Sequence, residues 1–331
     1  MKKKAKKLSK AKLWSIISLC AVALIAAAIF ITNAFIPVKY LAGYLVSGKR
    51  AEIGVMRVSF VDVGYGDCTI VELPDGKNML IDAGNGRYSN NSKVIKELNR
   101  RGIDTVDYLV CSSVNNEHCG GLSEIIKYKS VKSVFMPYCK NKYVTDGFRR
   151  FYDGVKSSGA EIIYSQYNAG AKADDYFFTF LSPSVIGLEG GEYSQLNENP
   201  TASARNNSSA VIWLEFGETA FLFTSDVEAA VLNSVALSYE IAGKDYPAAL
   251  EKCKIVQVAN HGGETSACAA FYDAISPEAA VISVGDNGAA SVNVLSDVIN
   301  SVGENLYRTD ELGTVTVEVT QSGYKFNRGN V

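Results

Sequence analysis

The sequence is short of histidine, with only His118 and His261 in 331 residues. A centre built from three or more imidazoles of one chain is therefore excluded, and a metal site here needs further ligands of another kind. Its seven cysteines lie at positions 20, 68, 111, 119, 139, 253 and 268 without a C-x-x-C pair. That excludes a zinc ribbon or a thioredoxin-like redox motif. Their spacing reveals no disulfide pairing, and most read as small buried apolar residues. Acidic residues are missing altogether before position 51, where ten basic residues occur. The remainder holds 23 basic against 35 acidic residues, a formal net charge of −12. A domain that grips duplex DNA through its phosphates is normally basic, so that overall signature is lacking, although a local patch stays open.

Residues 1–12 carry seven lysines, and residues 13–37, LWSIISLCAVALIAAAIFITNAFIP, carry no charge. About 20 apolar residues suffice to span a bilayer as a helix. Flanking lysines place the N-terminus in the cytoplasm and the rest of the chain outside it. Signal-peptide cores are usually shorter, but Ala26, Ala27 and Ala28 leave cleavage as the alternative. The expected organisation is a basic tail at 1–12, a transmembrane helix at 13–37, a linker at 38–54 and one domain at 55–326. At 47% hydrophobic and 21% charged residues, that domain falls outside the disordered class.

Within it, 56–63, 69–73 and 78–82 read as strands, with the Pro74-Asp75-Gly76 turn between the last two. A helix at 92–101, a strand at 107–111, a helix at 122–129, a strand at 131–136, a helix at 146–158 and a strand at 160–164 follow. The second half repeats this grammar: strands at 177–181, 210–216 and 219–224, a helix at 227–241, a strand at 254–258, a helix at 266–275, a strand at 279–284, a helix at 292–302, and strands at 305–308 and 313–319. Strands first and strand–helix alternation second, twice over, predict two mixed sheets packed face to face with helices outside. Residues 187–207, rich in Gly, Asn and Ser, read as a long surface loop.

Both histidines stand after a predicted strand and before paired glycines, in His118-Cys119-Gly120-Gly121 and His261-Gly262-Gly263. Strand ends are where sites collect in layered folds. Asp226 lies at a strand-to-helix junction, where a helix cap is its bland role. Glu117 precedes His118 directly, where an exposed loop charge is the bland role. Together Glu117, His118, Asp226 and His261 make a two-nitrogen, two-oxygen set suited to Zn²⁺, Mn²⁺ or Fe²⁺. Asp62, Asp67 and Asp82 end strands or glycine turns, and are expected to orient loops by accepting backbone N–H bonds.

As an ordered set, these segments resemble the ComEC/Rec2-type metallo-β-lactamase family. FVDVGYGDCTIVELPDGKNMLIDAGNG is similar to that family's opening F-x-D-V-G-Q-G-D-A…I-L-I-D-G-G. DYLVCSSVNNEHCGGL is similar to its metal motif L-x-x-T-H-x-H-x-D-H-x-G-G, NNSSAVIWLEFGETAFLFTSD to its N-x-S-L-V-L…L-L-T-G-D segment, and VQVANHGGETSA to its V-x-x-H-H-G-S segment. The match runs in order over about residues 55–320 and implies a four-layer αββα sandwich. The sequence departs from the pattern inside the metal motifs. Ser113 and Asn115 stand where the family places its first two histidines, Glu117 replaces an aspartate, and Asn260 replaces the first histidine of a pair. A further histidine near the closing SVG segment is missing.

The resemblance implies two metal positions, of which the first has lost its imidazoles. The second survives as Glu117, His118, Asp226 and His261, with Glu117 and Asp226 as the catalytic carboxylates. Tyr65, Asn206, Asn207 and Ser208 line up with segments beside the family's site. The expected cofactor is one divalent metal, Zn²⁺ or Mn²⁺, or none. Three functions follow as expectations. One is a membrane-anchored protein with an eroded or one-metal site. Another is an active metal-dependent phosphodiesterase or nuclease-type hydrolase. The last is an accessory protein of DNA uptake. Expected partners are the membrane and a small-molecule or phosphodiester substrate.

Overall fold

The computed structural model describes residues 10–35, 48–139, 144–183, 196, 200–241, 252–285 and 290–327. The first helix, α1 (Lys10–Phe35), covers 26 residues, most of the apolar run. No helix made of described residues is long and apolar enough to cross a membrane; several side chains of α1 lie outside the description. Most of the basic tail, most of the linker, much of the 187–207 loop and part of the closing SVG segment likewise lie outside the described residues.

The first half holds strands β1 (Met56–Phe60), β2 (Thr69–Glu72), β3 (Asn78–Ile81), β4 (Thr105–Val110), β5 (Ser130–Met136) and β6 (Glu161–Tyr164). The second holds β7 (Gly170–Lys172), β8 (Tyr176–Ser182), β9 (Val211–Phe216), β10 (Thr219–Phe223), β11 (Cys253–Gln257), β12 (Ala279–Ile282) and β13 (Leu306–Arg308), and β14 (Val315–Thr320) and β15 (Gly323–Asn327) return to the first sheet. Two sheets result, ordered β15-β14-β1-β2-β3-β4-β5-β6 and β13-β12-β11-β10-β9-β8-β7.

Alternation along the strands explains the layers, because successive side chains point to opposite faces. Met79 and Ile81 of β3 and Ile212 and Leu214 of β9 fill one core between the sheets, where Phe135 meets Phe178 and Phe180 at ring separations of 5.4 and 5.3 Å. Leu80, on the opposite face of β3, joins Val94, Ile95 and Leu98 of helix α2 (Tyr88–Arg100). Val211 and Trp213 of β9 pack beneath the helices of the second half. The order is thus helices, sheet, sheet, helices. Full burial of each large apolar side chain contributes about 1.5–3 kcal/mol.

Local chemistry fixes the element ends. In the Pro74-Asp75-Gly76 turn, Gly76 donates to the Leu73 carbonyl and Asp75 accepts from the Lys77 amide. Thr145 caps the helix Asp146–Ser158 by accepting from the Phe148 amide, and Gly159 ends it at φ 76°. Gly48 already donates to the Arg100 carbonyl, and Ala51 to the Glu72 carboxylate, so the chain is tied to the domain before residue 55.

Candidate metal centre

Strands β3 and β4 run parallel, as do β10, β11 and β12. Ligands collect beyond the carboxyl ends of such strands, and the chemistry-bearing residues gather there. Asp82 follows β3, Ser112 follows β4, Ser225 and Asp226 follow β10, Asn260 and His261 follow β11, and Ser283 follows β12. His118 lies in a one-turn helix, α3 (Asn116–Cys119). Asp67 comes from the turn between β1 and β2. A close approach holds that turn to α3: the Asp67 amide donates to the Glu117 carbonyl at 3.1 Å. A Cβ on Gly66 would stand 2.4 Å from the same oxygen, so this position requires glycine.

The backbone is strained at the same place. Asp82, Ser225, Asn260 and His261 all have φ between 50° and 60°, a left-handed conformation that costs a non-glycine residue about 1 kcal/mol or more. Such strain persists where the surrounding fold over-determines it, and it concentrates at functional sites.

The two imidazoles are held alike. His118 is fully buried, and its Nδ1 is 2.8 Å from Asp82 Oδ2. Asp82 in turn accepts from the Ser112 amide at 2.8 Å and from the Ser112 hydroxyl. His261 Nδ1 donates to the Ser283 carbonyl at 2.8 Å. With both Nδ1 atoms engaged, the Nε2 lone pairs remain, the tautomer in which a carboxylate or carbonyl orients a metal-binding imidazole. Both Nε2 atoms face Asp226 Oδ1, at 2.9 Å from His118 and 3.5 Å from His261. The other Asp226 oxygen, Oδ2, accepts from the Asn115 amide at 2.7 Å. Asp67 completes the group, 3.6 Å from Nδ1 of each histidine.

Buried polar atoms ordinarily have partners, yet Asp67 Oδ1, His118 Nε2, Asp226 Oδ1 and His261 Nε2 have no hydrogen bond. The 2.9 Å approach of His118 Nε2 to Asp226 lacks hydrogen-bond geometry, so the two findings agree. Donor atoms of Asp67, His118 and His261 lie within 4.8 Å of one another. Three carboxylates, Asp67, Asp82 and Asp226, are nearly inaccessible here, and buried charge demands compensation. The Asp67, His118 and His261 donors are grouped closely enough for a single divalent cation, and Asp226 Oδ1 stands beside the two Nε2 atoms.

The electrostatics are shared between these groups. Burial alone would raise the Asp226 carboxyl, but the charge of His118, with that of His261 and the Asn115 hydrogen bond behind it, outweighs it and holds Asp226 below its ordinary range. Burial alone would lower His118; Asp226 and Asp82 outweigh it and raise the imidazole well above its ordinary value. Asp67 is raised, mainly by burial, against the opposing pull of the two histidines.

Of the residues expected from sequence, His118, His261, Asp226, Asp82 and Asn115 meet here. The close group of donor atoms consists of Asp67, expected only to orient a loop, with His118 and His261; Asp226 stands beside the two Nε2 atoms, and the Glu117 side chain is half-buried. Neighbours on a helix do not share a face, so Glu117 points away from His118; it acts on the Tyr65 hydroxyl, whose pKa is raised by burial and by the Glu117 charge. Asp62 holds its own loop, accepting from the Gly64 amide and pairing with Lys93. Ser113 is buried and accepts from the Asn115 amide. Asn260 donates to the Thr265 hydroxyl. Asn207 accepts from the Glu228 amide, and Ser208 donates to the Arg205 carbonyl. Two contributors went unmarked in sequence: Arg205, whose Nε donates to Asn115 Oδ1 at 2.8 Å, and Ser225, whose hydroxyl is 2.6 Å from that of Ser112.

This two-sheet, mixed α/β architecture with its site at the strand ends is the metallo-β-lactamase fold. The sequence resembles ComEC/Rec2-type competence proteins. It is 24% identical over 246 residues to ComE operon protein 3 of Bacillus subtilis, covering 70% of this chain and 28% of that protein. It is 26% identical over 240 residues to Recombination protein 2 of Haemophilus influenzae, covering 72% and 25%. With Competence protein ComA of Neisseria gonorrhoeae it shares 24% identity over 273 residues, covering 82% and 33%. The chain thus spans about a quarter to a third of the length of these curated relatives. No family model matches it. Among solved structures, CmlA, a diiron β-hydroxylase from Streptomyces venezuelae, superposes with a TM-score of 0.50 at 13% identity, over 80% of this chain and 54% of that one. The metallo-β-lactamase fold protein YhfI from Bacillus subtilis gives 0.49 at 10% identity, over 80% and 100%. The structural likeness is one of fold.

Proposed function

We propose that this chain is a membrane-anchored, one-metal hydrolase of esters or phosphodiesters. The observation that carries the reading is the buried group of Asp67, His118 and His261, whose donor atoms lie within 4.8 Å of one another, with the unpartnered Asp226 Oδ1 beside both Nε2 atoms. When bound, a divalent cation supplies Lewis-acid polarisation of the scissile group. The chain's own residues do the rest: Asp82 and the Ser283 carbonyl fix the imidazole tautomers, and Asn115 commits one Asp226 oxygen so that the other faces the centre. Where the family's first metal position has its histidines, Ser113 and Asn115 are neutral and already hydrogen-bonded. One cation, rather than two, is the stoichiometry these donors support.

The anchor rests on α1. Large apolar side chains along it are exposed, with Leu19, Leu24 and Phe30 more than 70% exposed. Seven lysines before the apolar run orient it with the N-terminus inside. A role in DNA uptake, suggested by the relatives' names, has weaker support, because the chain covers a minor part of each relative and is acidic beyond residue 50.

A second reading has an observation of its own. His118 lies within 2.9 Å of both Asp82 and Asp226, so a proton on His118 could stand in for the metal, leaving a metal-free binding module. Elemental analysis of the purified full chain beside His118→Ala decides between them. About one equivalent of transition metal, lost in the variant, supports the hydrolase. No metal in either protein establishes the metal-free module.

A further inference from the structure

Arg205 lies at the edge of the centre, and nothing in the hydrolase reading uses it. It belongs to the short helix Ala202–Asn207. Its Nε donates to Asn115 Oδ1 at 2.8 Å and its Nη1 to the Pro200 carbonyl at 3.0 Å. Asn115 is spent in this arrangement: one amide hydrogen goes to Asp226 Oδ2, the other to Asn206 Oδ1 at 2.8 Å, and its oxygen receives Arg205. Arg205 is therefore two hydrogen bonds from the carboxylate that faces both histidines.

A guanidinium two hydrogen bonds from a buried carboxylate would ordinarily pair with an acid. Among the described residues Arg205 has no carboxylate partner, and its Nη2 carries no hydrogen bond. The nearby acid, Glu228, is taken up by neutral donors instead: the Ser203 hydroxyl and the amides of Asn206 and Asn207. Three uncharged side chains neutralise Glu228 as acceptor and leave the arginine uncompensated. The outer edge of its fork, Nη1 and Nη2, is thus oriented by two fixed bonds and still has hydrogens to give.

We propose that Arg205 is the oxyanion-recognition residue of this site, binding a phosphoryl group of the ligand. It supplies, on the side where the resemblance places a first metal, the positive charge that Ser113 and Asn115 cannot hold there. A guanidinium fork matches phosphate in geometry and charge. A phosphoryl group also has several oxygens, so it can engage the fork with one edge and still present others toward Asp226, to which Asn115 links the arginine. The proposal rests on the one-metal reading of that centre, and its test separates the two.

The test titrates inorganic phosphate calorimetrically into the full chain in detergent, with acetate as a second probe and metal content measured on each sample. Arg205→Met is compared with wild type, and Arg205→Lys serves as the milder variant should Met impair folding. Losing a charge-assisted bidentate contact weakens phosphate binding roughly tenfold or more. Arg205→Lys, a point charge without the fork, falls between, and metal content stays at its wild-type value. Phosphate binding unchanged in both variants overturns the proposal while leaving the metal reading intact. Tighter binding of acetate than of phosphate overturns the phosphoryl assignment. Absence of metal with Arg205-dependent phosphate binding retained overturns the metal reading but upholds the subsite.

Discussion

At the scale of single residues, the site depends on what orients each imidazole. Asp82 holds His118 through Nδ1, and Ser112 holds Asp82. Outer carboxylates of this kind are typically worth a factor of 10–100 in metal affinity. Asp82→Asn keeps the shape and removes the charge, so metal affinity should fall by about that factor without loss of the fold; competition with a chromophoric chelator reads it. On the one-metal reading proposed above, the proton on His118 is the metal's direct competitor. Because Asp226 and Asp82 raise the His118 pKa well above its ordinary value, the protonated pairing stabilises the metal-free protein fully below about 6.5. That contribution is lost as pH rises through the folded value. Metal affinity should therefore climb as pH increases, by up to tenfold per unit, until His118 is neutral. A flat profile between pH 6 and 9 would show that this imidazole does not give up a proton to the metal. Much of this centre was legible from sequence, since two histidines with matching glycine-rich surroundings marked their own neighbourhood. Asp67 was harder to place, because its role depends on a turn folding back 51 positions onto His118 rather than on adjacency in the chain, whereas Glu117 was adjacent but faces elsewhere. Arg205 carried no signal at all, being one cation in a polar loop until its bond to Asn115 is seen.

At the scale of elements, the strands read well because burial leaves few alternatives: β9 and β10 are buried at nearly every position, and Gly217 at φ 59° makes their two-residue hairpin. Helix α3 escaped notice because four residues are too few to display a helical period, and β15 because a five-residue edge strand with half-exposed side chains resembles a loop. The seam between α2 and the first sheet depends on one cation. Buried Arg101 bonds Glu72 at 2.9 Å, Ser59 at 3.0 Å and Glu97 at 2.7 Å, tying the helix end to β1 and β2. Removing one partner of such a group leaves an uncompensated buried charge, at a cost of about 3–5 kcal/mol. Arg101→Met should destabilise the domain by that amount in urea titrations at neutral pH. Burial alone would raise Glu97, but the Arg100 hydrogen bond and the Arg101 charge hold it at about 2, against an ordinary 4.5. Its contribution is thus present above about 4.5 and is lost as pH falls toward 2. The gap between wild type and variant should narrow over that window. A gap that stays constant down to pH 2 would mean the Glu97 pairing contributes little.

For the whole molecule, the question is how an apolar helix and an acidic domain divide the work. The membrane-anchored reading proposed above rests on helix α1 and its 26 residues. The domain's own structure is already engaged at Gly48, through its bond to the Arg100 carbonyl, and at Arg50 and Ala51, which bond to Gly76 and Glu72. None of the site residues lies before Asp67 except by way of the Tyr65 turn, which Gly285 approaches so closely that a Cβ there would stand 2.3 Å from the Tyr65 amide. The proposed anchor and the site are therefore separable. A chain beginning at Gly48 should leave the membrane fraction, keep its circular dichroism, and hold the same metal stoichiometry as the full protein. The full chain, in contrast, should resist extraction by high salt and alkaline carbonate and yield only to detergent, since apolar burial, unlike lysine–headgroup attraction, is not screened by ions. Release of the full chain by salt alone would reduce α1 to a surface contact made by its lysines, and would remove the membrane from the proposed function while leaving the metal centre as it stands.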